Sequence, residues 1–81
     1  MMEYITKEKS NNFPNLVAEL ARINMSKPEL AVAIGMSVST VYGKFKGDTD
    51  WTLDDMDAIK AVLESRGCKE TSLDYLFGRG Q

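Results

Sequence analysis

The chain has no histidine and a single cysteine, Cys68, among its 81 residues. Histidine is the side chain that most often serves as general acid or base, so its absence excludes Ser-His and Cys-His nucleophile pairs. One cysteine without histidine also excludes the usual zinc ligand sets and any internal disulfide, which fits a reducing compartment. Long apolar runs are missing too. The longest mainly apolar stretch, 30–36, contains Gly35 and is far short of the roughly 20 residues that span a bilayer. The first nine residues alternate charge and lack the apolar segment of a signal peptide. The expectation is a cytoplasmic protein that is not an enzyme, with no catalytic residue, metal, cofactor, small-molecule ligand or membrane partner.

What is present is a modest supply of core. Apolar residues make up 43% and charged residues 27% of the chain, enough for one small domain and against wholesale disorder. Helix starts recur in one form, an apolar residue, then Ser or Thr, then an apolar residue five positions after the first. Met25-Ser26-Lys27-Pro28-Glu29-Leu30 makes Ser26 the N-cap, Glu29 its capping-box partner, and Met25 with Leu30 a hydrophobic staple. Met36-Ser37-Val38-Ser39-Thr40-Val41 repeats the cap and staple, and Trp51-Thr52-Leu53-Asp54-Asp55-Met56 repeats them with acids suited to a helix N-terminus. Asn24, Gly35, Gly47 and Gly67 supply stops, being residues that tolerate the left-handed conformation.

These signals predict an all-α fold of five helices. The first runs from Phe13 or Pro14 to Ile23 with Phe13, Leu16, Val17 and Leu20 on one stripe. Two short helices follow between Lys27 and Gly47, joined by a turn of about four residues centred on Gly35. The fourth runs from Leu53 to about Arg66 and should bury Leu53, Met56, Ile59, Val62 and Leu63. The fifth covers Ser72 to Phe77. Residues 13–77 then form the domain and 78–81 a frayed tail, while 1–12 is an extension open to two readings, docking through Tyr4 and Ile5 or a flexible arm over the polar run Lys7 to Asn12.

Neither short helix would be stable alone, so both must pack on the others. In the second, a wheel at 100° per residue puts Val38, Val41 and Phe45 within about 60° of one another, leaving Ser39, Thr40, Tyr42, Gly43 and Lys46 toward the outside. The run Ser26 to Gly47, with its Leu30-Ala31, Ile34-Gly35, Ser37, Ser39-Thr40-Val41 and Gly47 elements, resembles the helix-turn-helix domain of phage repressors and Cro proteins. The likeness extends over about 13–77, through the capped helix from Thr52 to Leu63 and the ending Ser72 to Phe77.

The resemblance implies a lambda-repressor-like domain and a sequence-specific DNA-binding transcriptional regulator, with repression the expected sense, encoded by a bacterium or phage. It implies that helix 38–46 lies in the major groove of double-stranded DNA while the preceding helix crosses the backbone. The family's base-reading positions fall on Val38, Ser39, Tyr42 and Gly43, and its phosphate-contacting positions on or near Lys27, Thr40, Lys44 and Lys46. Where the family commonly places Gln, Arg or Asn, this chain has Val38 and Gly43.

Charge is unevenly placed within the net −2. Residues 1–21 sum to −1, residues 22–46 to +3 and residues 47–81 to −4, so the presumed DNA segment is the only positive third. The acidic total and the apolar Val38 favour a rival reading, the same fold serving as an antitoxin-like or anti-repressor-like protein-interaction module. Trp51, as a staple residue, is expected to pack, and Met25, Met36 and Met56 likewise. Asp48, Asp50, Asp54, Asp55 and Asp57 read as loop and helix-start charges, since an EF-hand counted from Asp48 would have Leu53 at its sixth place and Ile59 at its twelfth. Cys68 has no catalytic partner in view. Tyr75, Leu76 and Phe77 either close the core or form a two-fold contact, and a homodimer is expected at least on DNA.

Overall fold

Ser26, Ser37, Thr52 and Ser72 each accept a hydrogen bond from the backbone N–H three residues on, so a hydroxyl opens four of the five helices. In the computed structural model, which describes residues 13–78, the helices are α1 (Pro14–Arg22), α2 (Lys27–Ile34), α3 (Val38–Lys46), α4 (Leu53–Ser65) and α5 (Leu73–Phe77). The expected extension 1–12 and the last three residues of the expected tail lie outside the described residues. No strand occurs among the described residues. Two of the starts are full capping boxes. Ser26 Oγ accepts from Glu29 N–H at 3.1 Å while Ser26 N–H donates to Glu29 Oε1 at 2.8 Å. Thr52 Oγ1 accepts from Asp55 N–H at 3.1 Å while Thr52 N–H donates to Asp55 Oδ2 at 3.0 Å.

The stops are equally local. Asn24, Gly35, Gly47 and Gly67 all have positive φ, between 58° and 94°. After each, the next residue's N–H reaches back to a carbonyl of the last turn, as Met36 N–H does to Ala31 O at 2.9 Å and Asp48 N–H to Gly43 O at 2.9 Å. This reverse bond satisfies carbonyls that a terminated helix would leave unpaired, and turns the chain sharply. Gly35, Met36 and Ser37 therefore suffice to connect α2 to α3, a shorter turn than expected.

α2 packs on α3 and α4, while α1 and α4 pack on α5. Leu16, Leu30, Val41, Phe45, Ile59, Leu63 and Leu76 are fully buried at the centre. At one end of this core Phe13, Phe45, Trp51 and Phe77 meet edge to face, with ring centroids 5.3 to 6.4 Å apart. Trp51 is thus a packing residue, and Met25 joins it in the buried core, with Met36 and Met56 packed against the edge.

Two expectations are corrected. Leu53 is 63% exposed, because as the first residue of α4 it lies about 120° around the wheel from buried Ile59. Leu76 and Phe77 are buried in the domain's own core, so these two close the fold instead of offering a dimer contact, while Tyr75 is half-buried and its hydroxyl donates to Glu19 Oε2 at 2.7 Å.

Candidate nucleic-acid interface

α3 is held from behind. Val41 and Phe45, four residues apart, fill the core, and Lys44 joins them on the inner side. Lys44 Nζ donates to Asp50 O at 2.7 Å, pairs with Asp55 Oδ2 at 3.1 Å, and stands 5.8 Å from the centre of the Trp51 ring. Asp55 Oδ2 therefore caps α4 and ties it to α3 with one atom. Burial pushes the Asp55 carboxyl up, but hydrogen bonds from Thr52 N–H and Lys44 more than offset that and leave it below its ordinary value. The phosphate role that the resemblance implies for Lys44 is corrected: its ammonium is sequestered behind the helix. The wheel carried the signal, since Lys44 falls about 60° from Val41, and the acids at 48–57 were the available counter-ions.

The outward side is sparse. Val38 is 39% and Tyr42 44% exposed, and Ser39, Thr40 and Lys46 are exposed beside them. Val38 is the first residue of α3 and stands beyond the packed turn, which is why it does not share the burial of Val41 and Phe45. Gly43 is half-buried, and a Cβ built on it would meet only Asp48 Cβ, at 3.9 Å. The four expected base-reading residues thus share an accessible helix surface. Thr40 is partly occupied, since Ser37 Oγ accepts from Thr40 N–H at 3.2 Å and donates to Thr40 Oγ1 at 2.7 Å. Lys27, the first residue of α2, stands with Nζ 4.7 Å from the Phe45 ring centre and 5.7 Å from that of Tyr42. It thereby links the start of α2 to the outward face of α3.

The positive charge of 22–46 is less available than its sum suggests. Arg22 pairs with Glu19 at 3.2 Å, Lys44 with Asp55, and Lys46 with Asp48 at 3.7 Å on the surface. Only the last of these is a solvent-exposed contact of the kind that phosphate could displace at small cost.

A second polar site was missed in the sequence. Glu19, only 3% exposed, accepts from Tyr75 Oη and from Arg22 Nε. The Tyr75 hydrogen bond is the main reason its carboxyl lies below the ordinary range despite burial, which acts in the opposite sense. Glu19 sits three residues from Leu16 and four from Ile23, within the apolar stripe of α1, and a stripe counted by position rather than by polarity would have included it. Glu19 and Arg22 line a cavity of about 410 Å³ with Ile23, Arg66, Cys68 and Tyr75, at the ends of α1 and α4. Burial and the Glu19 carboxylate push the Cys68 thiol up, which keeps it protonated and unreactive at neutral pH. Among the described residues no three His, Cys, Asp or Glu side chains gather as a metal site, and no helix is long and apolar enough to cross a membrane.

No protein-family model matches the chain, and neither a curated protein nor a solved structure matches it significantly.

Proposed function

We propose that the chain is a sequence-specific DNA-binding regulator of transcription in which α2 and α3 act as a helix-turn-helix, with α3 in the major groove. The observation that carries this reading is the two-sidedness of α3. Val41, Lys44 and Phe45 anchor its rear, while Val38, Ser39, Tyr42 and Lys46 stay accessible on a helix that a three-residue turn holds against α2. A rigid helix with a solvent-facing side and N-terminal residues free to meet base edges is what major-groove reading requires. Ser39 supplies a hydroxyl for a base edge, and Lys27 and Lys46 supply cations for phosphates.

A module with so few cations binds modestly and with salt dependence, so the reading includes a homodimer on DNA that doubles the contacts. The two-fold contact would be made elsewhere than at Leu76 and Phe77. A second reading, a protein-interaction module in the cytoplasm, draws on Val32 at 80% and Leu53 at 63% exposure, both away from the core.

Selection of bound sequences from a random duplex pool at two salt concentrations tests the choice. The expected outcome is an inverted repeat with half-sites about 10 base pairs apart. Lys27→Ala and Lys46→Ala should each weaken binding across sequences and lower the salt slope by about one, while Ser39→Ala should alter the preferred base. Retention of no duplex at low salt refutes DNA binding and directs attention to protein partners.

A further inference from the structure

Resting on the reading of α3 as a groove-binding helix, we propose that its sequence preference is led by thymine C5-methyl groups, contacted by Val38 and Tyr42, and not by hydrogen bonds to guanine or adenine edges. The side-chain inventory of the helix excludes the alternative. Guanine is read by Arg or Lys in bidentate contact and adenine by Asn or Gln. α3, with sequence VSTVYGKFK, contains no Arg, Asn or Gln. Of its two lysines, Lys44 is locked to Asp50 O and Asp55, and Lys46 is the last residue of the helix, at the end remote from the N-terminal turn that meets base edges. The hydroxyls that remain are those of Ser39, Thr40 and Tyr42, Thr40 Oγ1 accepting from Ser37 but keeping its own proton, and a hydroxyl pairs with either kind of base edge and so discriminates weakly.

Apolar surface is what the outward side has in excess. The core is filled by Val41 and Phe45, so Val38 and Tyr42 leave isopropyl and ring surface in water without contributing comparably to packing. They are four residues apart, which is about 6 Å along a helix and close to the rise of two base steps. Two thymine methyls separated by two base steps match that distance. Methyl recognition is a short-range dispersion and desolvation effect that loses roughly a quarter to a half of its dispersion term across a gap of about 0.5–1 Å, so the helix must lie deep. Gly43, beside Tyr42, permits this, since no side chain stands there and only Asp48 Cβ lies near.

The test compares affinities of the full chain for its selected duplex and for the same duplex with deoxyuridine in place of thymidine at single positions. The replacement removes only the C5-methyl group and leaves pairing and phosphate charge intact. A loss of about fourfold is expected at each contacted thymine, the fold-change for burying one methyl group. Val38→Ala should abolish the loss at one position and Tyr42→Ala at another, whereas Tyr42→Phe, which retains the ring, should preserve it. Selective binding with equal affinity for thymine and uracil duplexes overturns the proposal while leaving DNA binding intact, as does a selected site whose contacted pairs are all G·C. Failure to bind any duplex at low salt overturns the function reading and this inference with it.

Discussion

The two sides of α3 differ in kind. At the rear, Phe45 meets Phe13 and Trp51 edge to face, and Lys44 is fixed by a carbonyl, a carboxylate and an aromatic ring. At the front, Val38, Ser39 and Tyr42 are exposed, and the exposed Lys46 makes a long surface pair with Asp48. Lys44 and Lys46 are two residues apart in a nine-residue helix and do opposite things. A buried ammonium that satisfies two acceptors holds structure, while an exposed one contributes to the surface field. A cluster of like charges in a sequence is therefore not yet a charged surface. The helix period decides which members reach solvent.

That difference breaks most severely from behind. Phe45→Ala removes a fully buried ring from the aromatic cluster and should cost about 3–5 kcal/mol of stability, seen as a lower denaturant midpoint. An unchanged midpoint would mean that α3 is seated by something other than this cluster. Lys44→Met keeps the length of the side chain but leaves Asp55 without its cation, at a cost of about 2 kcal/mol. The same pair predicts a pH dependence. The Asp55 carboxyl lies lower in the folded chain than its ordinary value, so the unfolded chain binds a proton more readily. Its contribution is present above an unfolded value of about 3.9 and is lost as pH falls through the lower folded value. Glu19 acts in the same sense. Urea titrations from pH 6 to pH 2 should show this loss, and Lys44→Met should show less of it than the parent chain.

What the sequence disclosed and what it hid follow from the range of the forces involved. All three staple-type starts were legible because a cap is a contact between residues three apart, and all four stops because left-handed conformations select Asn or Gly. The outward placement of Ser39, Thr40, Tyr42 and Lys46 followed from the helix period. Contacts across the fold were hidden. Lys44 meets Asp55 eleven residues on, and Glu19 meets Tyr75 56 residues on, separations that no local spacing rule addresses. Leu53 was misjudged for another reason: its apolar character suggested burial, whereas its place at the start of α4 turns it away from Ile59.

Gly43 gives the smallest effect and the sharpest separation of front from rear. Its backbone is helical, and apart from its chain neighbours and the backbone of its own helix the nearest atom to where a Cβ would stand is Asp48 Cβ, at 3.9 Å. Alanine there meets no clash and loses less backbone freedom on folding, so Gly43→Ala should raise stability by about 0.5–1 kcal/mol. If the front of α3 has no partner, a gain in stability is all that follows. If α3 lies deep in a groove, the added methyl stands where Tyr42 and its neighbours approach the bases, and binding should weaken by severalfold while the denaturant midpoint rises. Opposite signs from one substitution cannot come from damage to the fold. A variant that is both more stable and equally able to bind DNA would mean that the glycine does not serve close approach, and that α3 lies farther from the bases than its accessible surface suggests.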